Sequence, residues 1–397
     1  MGVQVLKGNI NKITTPTTTT TIKIIILRRL PMKINTTKEK LLHGVQMVQR
    51  AVSPKNPLPI LSGIMFKAEN DTLKMTATDL EIGIGCNIPV TTIEPGSVVI
   101  PARYITDIVR KLPDVPIDLA TDTTNNTVLL KYSTSEVRLH SLNAEEFPSF
   151  PSVEDDVCID IATSTLKEML RQVLFATSND ENRPVFTGVL FEIKNNVLSL
   201  VTTDTHRLAV RKLKLGTDLP DTKVIIPGRT LSELVRIMGN NDETVKITLG
   251  GNQALFSLKD TVLVSRLIEG QFPAYDQVVP QNFKARLRVK VKEMQESTER
   301  AALLTTSGKQ TIKLSTQQDL IFITANTEIG GIHEEVNAYL EGEPMQIAFN
   351  AGYLTDVLRA VGKEEIHFEL NGPLSPGVIK PVDGDDYLTL ILPVRTA

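Results

Sequence analysis

A chain of 397 residues exceeds what one ordinary core supports and suits two to four domains. With 41% hydrophobic and 22% charged residues it reads as soluble and globular, and a formal net charge of −3 excludes a generally basic nucleic-acid binder but not a local cationic surface. Two cysteines, Cys86 and Cys158, with no CxxC, exclude disulfide scaffolds and zinc ribbons and fit a reducing cytoplasm. The five histidines show no paired spacing, so neither a metal nor another cofactor is expected.

Residues 14–31, "TTPTTTTTIKIIILRRLP", are Thr-rich and basic. Its apolar centre, Ile24 to Leu27, is too short for a signal peptide. Residues 1–31 are expected to be a disordered leader before a second start at Met32. No apolar run approaches the ~18 residues of a membrane span, so no membrane is expected. From Met32 the pattern is an amphipathic helix ("TKEKLLHGVQMVQRAV"), then alternating strands with Asn-Asp at the hairpin turn ("LSGIMFKAENDTLKMTATD"), then a helix announced by proline ("VVIPARYITDIVRKL"), then more strands.

The same order returns twice. "MTATDLEIGI", "LVTTDTHRLAV" and "FITANTEIGGI" place Asp79, Asp204 and Asn326 at spacings of 125 and 122. "VVIPARYITDIVRKL", "VIIPGRTLSELVRIM" and "IAFNAGYLTDVLRAV" start at Pro101, Pro227 and Asn350, 126 and 123 apart. Gly63 and Gly188, and Phe147 and Phe272, are each 125 apart. A period of one domain length implies three homologous units, 32–156, 157–282 and 283–397, each α+β with two helices and many antiparallel strands.

The second helices share an apolar stripe, for instance Ile105, Ile108, Val109 and Leu112, and an outward cation at one repeated slot: Arg110, Arg236 and Arg359. The first helices add Lys38, Lys40, Arg50, Lys167, Arg171, Lys292 and Arg300. Exposed helix faces are ordinarily rich in Lys and Arg, but solvation does not demand one slot in three copies. Cations spread over six helices suit a phosphate backbone contacted without base reading. Helices pack ~8–10 Å apart and are ~10 Å thick, so a ring of six leaves a hole under ~10 Å and a ring of twelve roughly 25 Å, against a duplex of about 20 Å. Twelve helices need two copies, which favours a closed head-to-tail homodimer around double-stranded DNA.

Asp204, His206 and nearby threonines contain the parts of a general-base relay. A hydrolase reading lacks GxSxG, a nucleophile in a recognisable turn and metal spacing. A β-rich carbohydrate or cell-surface module fits poorly with the repeated helix cations and the absence of Trp.

From Met32 onward the motifs "MKINTTKEKLL", "PLPILSGI", "ATDLEI", "NRPVFTGVLFE", "TTDTHRLAV", "GQFPAY", "FNAGYLTDVL" and "LILPVR" resemble the bacterial DNA polymerase III beta subunit family, the DNA sliding clamps. The resemblance implies the DNA clamp fold: a ring-shaped head-to-tail homodimer of three-domain subunits, helices lining the hole and antiparallel sheets outside. It implies a non-catalytic processivity factor. Its partners would be the polymerase III alpha subunit, the clamp loader and other proteins carrying a clamp-binding motif. Carried over by motif, the peptide pocket would comprise Phe186, Thr203, Thr205, His206, Arg207, Leu208, Pro273, Val278, Tyr353, Leu390, Leu392, Pro393, Val394 and Arg395. Lys55, Arg103 and Arg183 match basic family positions near DNA. Leu303 and Leu304 would meet Val137 and Leu139 across the dimer seam, although their spacing fits ordinary core equally well. Thr205 and Gln277 depart from family patterns that carry Gly and Arg there.

Overall fold

The computed structural model describes residues 31–53, 58–150, 157–239, 243–305, 310–328 and 330–395. Residues 1–30 of the expected leader, and Lys55, lie outside the described residues.

Among the described residues six helices recur in pairs: α1 (Lys38–Val48) with α2 (Ala102–Lys111), α3 (Thr163–Leu174) with α4 (Gly228–Ile237), and α5 (Val291–Leu304) with α6 (Ala351–Ala360). Thr37 caps α1, its side chain accepting from the Lys40 N–H, and Asn350 caps α6 by accepting from the Tyr353 N–H. Pro101 and Pro227 are not the first helical residues as expected. Each sits one place earlier, at the cap, with an extended ψ of 120° or 132°, because each is still the last residue of a strand. Those strand ends pair with Gly63 and Gly188. The approach is close: a Cβ on Gly63 would fall 2.4 Å from a Val99 methyl, and one on Gly188 2.5 Å from an Ile225 methyl. The repeated glycine is therefore a packing requirement.

The hairpin turns fall where expected. Asn70 and Asp71 (φ 50° and 54°) and Asn195 and Asn196 (φ 50° and 60°) supply the left-handed pairs of tight two-residue turns.

Among the described residues the strands form three antiparallel sheets, of five, eight and twelve strands, against which the helices pack. The sheets do not stop at the unit borders. Ile82–Pro89 of the first unit pairs with Thr261–Arg266 of the central one, placing Cys86 opposite Thr261. At the second border Arg207–Lys214 pairs with Tyr387–Ile391, placing Leu208 opposite Leu390. One apolar core runs from Met32 to Leu263 through the first two units, a second occupies Ala285 to Ile391, and a small third lies at the second border.

Candidate binding pocket

The third apolar cluster joins Leu190, Val201, Leu208, Val210, Ile225, Val378 and Leu390, with Val185, Ile268, Phe272, Tyr275, Val279 and Leu388 packed around it. Of the expected pocket residues, Leu208 and Leu390 are buried in this wall. Val278 and Leu392 are 56% and 39% exposed, large apolar side chains open to solvent. Pro273 is exposed, and Phe186 half-buried.

The polar rim is built on the turn after Val197–Thr203. The Asp204 carboxylate accepts from the His206 and Arg207 N–H groups at 2.9 and 3.0 Å and from Arg207 Nε at 3.0 Å. Thr203 Oγ1 accepts from the Thr205 N–H at 3.1 Å and donates to the Arg207 carbonyl at 2.7 Å. The first unit repeats this turn without a histidine. Asp79 accepts from the Glu81 and Ile82 N–H groups at 3.1 and 2.9 Å, and Thr78 takes the part of Thr203. The aspartate is therefore a turn-forming group in both copies. The third copy differs: Asn326 pairs with Gly331 in an ordinary hairpin.

Arg207 ties the turn to the last unit. Its guanidinium donates to Asp356 Oδ2 on α6 at 2.6 Å and lies over the rings of Tyr353 (4.5 Å) and Phe175 (5.3 Å). The His206 ring stacks on Tyr353 with centroids 6.1 Å apart. The C-terminal segment is tethered here as well: the Leu392 N–H donates to the His206 carbonyl, and the Val394 N–H to the Ala348 carbonyl, both at 2.8 Å. Pro393 and Val394 are half-buried and Arg395 is exposed. Thr203, Thr205, His206, Arg207, Leu208, Tyr353, Leu390 and Leu392 are thus brought together. Asp356 and Phe175, the partners of Arg207, escaped sequence reasoning. A signal existed for Asp356, since Asp107 and Glu233 occupy the same helical slot.

Beside the pocket, Glu192 accepts from Tyr275 Oη and Lys223 Nζ at 2.6 Å each. Burial works to raise the Glu192 carboxyl, but the Lys223 and Tyr275 hydrogen bonds hold it below its ordinary range; burial and Glu192 push the Tyr275 phenol up.

The cationic helix face is less uniform than expected. Arg110, Arg236 and Arg359 are exposed, but each has a carboxylate within 4 Å: Asp107, Glu233 and Glu299. Arg50 is engaged with Glu233 and Arg300 with Glu334, while Lys38 and Lys167 donate to carbonyls at the C-terminal ends of α2 and α4. Arg103 is exposed. Arg183 pairs with Asp180 and lies over the Phe186 ring. A cavity of about 660 Å³ between α3 and α6 gathers Lys167, Arg171 and Arg359 with Glu168 and Asp356.

At the expected seam, Leu303 is 71% exposed, which excludes the core reading for it. Leu304, Val137 and Leu139 are half-buried.

Three family models match in order: the DNA polymerase III beta subunit N-terminal domain over residues 32–151, its central domain over 160–274 and its C-terminal domain over 276–395. The beta sliding clamp of Staphylococcus epidermidis is 39% identical over 358 residues, covering 87% of this chain and 95% of the relative. The DNA polymerase sliding clamp of Bacillus subtilis superposes with a TM-score of 0.89 at 35% identity, covering 92% of this chain and all of that one. A DnaN sliding clamp from Pseudomonas aeruginosa bound to griselimycin gives 0.88 at 30% identity, with the same coverage. The chain therefore belongs to the DNA polymerase III beta subunit family, the bacterial sliding clamps.

Proposed function

We propose that two copies of this chain close head to tail around duplex DNA and tether the replicative polymerase and other partners through the pocket at the second border. The observation that carries this reading is a repeated junction. Ile82–Pro89 pairs with Thr261–Arg266, and the equivalent Arg207–Lys214 pairs with Tyr387–Ile391. The next equivalents are the first half of Gly330–Gly342 in the last unit and Ser135–His140, an edge strand of the first. A third junction of the same kind joins these between copies, and a two-fold ring closes with twelve helices inside. Leu303 and Leu304, at the end of α5, would then face Val137 and Leu139 on Ser135–His140. Unit borders fall at 156/157 and 282/283.

Arg103 would meet a phosphate, and Arg110, Arg236 and Arg359 would do so by exchanging their weak surface carboxylate contacts. Each exchange is small and salt-sensitive. Lys55 belongs to this set by motif. Arg183 is better placed to shape the peptide pocket beside Phe186.

The pocket suits a short peptide with apolar side chains. Leu208, Leu390, Val278 and Leu392 would anchor them, and His206, Arg207 and the Thr203–Thr205 backbone would fix direction. The same Asp-centred turn forms at Asp79 with no histidine, which supports a structural Asp204 and a chain that does no chemistry. The partners are then the polymerase III alpha subunit, the clamp loader and other motif-bearing proteins, in the cytoplasm.

The test joins molar mass in solution with retention on nicked circular and on linear DNA, and titrates a fluorescent clamp-binding peptide. Dimers held only on circular DNA are expected. Leu208→Asp, or deletion of 392–397, should abolish peptide binding and leave the dimer intact. Peptide binding at full strength by both variants would reject the pocket, and equal retention on linear DNA would reject the ring.

A further inference from the structure

Three metal-ligand side chains that are far apart in sequence converge at the first border. His43 comes from α1, Cys86 from Ile82–Pro89, and Asp260 from the turn before Thr261–Arg266. We propose that His43, Cys86 and Asp260 form a divalent-metal site of the zinc type that pins the first unit to the central one.

The imidazole nitrogen, thiol sulfur and carboxylate oxygen all lie within 4.8 Å of one another. The cross-border pairing that sets Cys86 opposite Thr261 holds them there, and the Asn87 N–H donates to the Asp260 carbonyl at 2.8 Å. Thr261 Oγ1 donates to Asp260 Oδ1 at 2.8 Å, which orients the carboxylate so that Oδ2 meets His43 Nε2, also at 2.8 Å. That hydroxyl is the kind of supporting contact that fixes a ligand carboxylate. Cys86 is fully buried, whereas the His43 and Asp260 side chains are 42% and 43% exposed, so an ion has a path from solvent.

The donor set selects the metal class. One imidazole, one thiolate and one carboxylate with a water in the fourth place is a borderline-soft set that suits zinc and not magnesium or calcium. Zinc–ligand bonds of ~2.0–2.1 Å to nitrogen or oxygen and ~2.3 Å to the one sulfur put tetrahedral donors about 3.3–3.6 Å apart. Binding therefore needs His43 and Asp260 to part by under about 1 Å and Cys86 to draw in by a similar amount. Their shared hydrogen bond is exchanged for two bonds to the ion. The Cys86 S–H proton leaves to solvent as the sulfur–metal bond forms, and no electrons are transferred. The sequence hides this site because its three ligands share no local spacing.

The test uses the full chain stripped by chelator, titrated with zinc against a chromophoric chelator and, separately, with cobalt(II) followed by its thiolate charge-transfer band. One ion per chain is expected. Cys86→Ser should remove the cobalt band, and Cys158→Ser should not. His43→Gln and Asp260→Asn change half-exposed side chains, and each should weaken zinc binding by more than roughly a hundredfold, beyond the 10–100-fold that supporting contacts typically cost. In chelator these two variants should keep the solution mass of the parent chain and lose only the small part of its midpoint owed to the half-exposed His43–Asp260 hydrogen bond, and zinc should raise the midpoint of the parent alone. Equal zinc uptake by the parent and by His43→Gln, or a cobalt band that survives Cys86→Ser, would overturn the assignment.

Discussion

Leu80 and Thr205 hold the same left-handed backbone conformation, φ 78° and 77°, at the same place in equivalent turns of the first and central units. A branched residue is strained there, and glycine is not. Thr205→Gly should stabilise the chain by up to about 1 kcal/mol, since relief of strain exceeds the added freedom of the unfolded chain. Urea midpoints compared with the parent protein check this; an unchanged or lower midpoint would mean that the Thr205 side chain has contacts outweighing its strain.

The link from Arg207 to Asp356 crosses the second border with the arginine nearly buried and the aspartate partly open. Asp356→Asn keeps the shape and removes the charge. It should cost about 1–2 kcal/mol, discounted for the exposed partner, and weaken peptide binding by letting Arg207 drift from the Tyr353 ring. Chemical denaturation and peptide titration on one preparation separate the two effects.

Leu303→Lys combined with Leu304→Lys should yield monomers. Both leucines lie at the end of α5, and charges buried without partners at a seam would cost several kcal/mol. Light scattering that still gives a dimer would remove these residues from the interface.

Arg110, Arg236 and Arg359 changed together to Glu should leave the fold intact, because all three are exposed, and should reduce DNA-stimulated function. If each meets a phosphate, the slope of log affinity against log salt should fall by roughly one per cation. Polymerase stimulation identical to the parent across a salt series would make the slot a solvated face.

Glu192 provides an acid-side prediction. Its folded carboxyl lies below the ordinary value of 4.5, so its stabilising effect is present above that pH and is lost as pH falls through the folded value. Glu192→Gln should therefore destabilise at neutral pH, with the gap to the parent closing as pH drops below 4.5. Midpoints measured across that range test the sign.

Three units with two helices each were legible because repeated words fix chain position: "ATDLEI" and "TTDTHRL" form one turn, and Gly63 and Gly188 meet one steric demand. The residues of that turn that we propose for the pocket were named through the family motifs. Pairing across borders was not, since nothing in the alternation of Ile82–Pro89 says whose edge it joins. Nor could helical periodicity show that Lys38 and Lys167 are bonded to helix ends, or that Asp356 turns to Arg207 and leaves Arg359 to Glu299. Those choices depend on which element packs alongside, which local spacing does not encode.

The first border also has a consequence for synthesis. Ile82–Pro89 would be an open sheet edge until Thr261–Arg266 leaves the ribosome. At ~5–20 residues per second that interval is roughly 10–35 s. During it an apolar strand with unpaired backbone groups is available to any other edge, including that of a neighbouring nascent chain. The nascent chain would therefore be most open to aggregation or chaperone capture between completion of the first unit and completion of the central one.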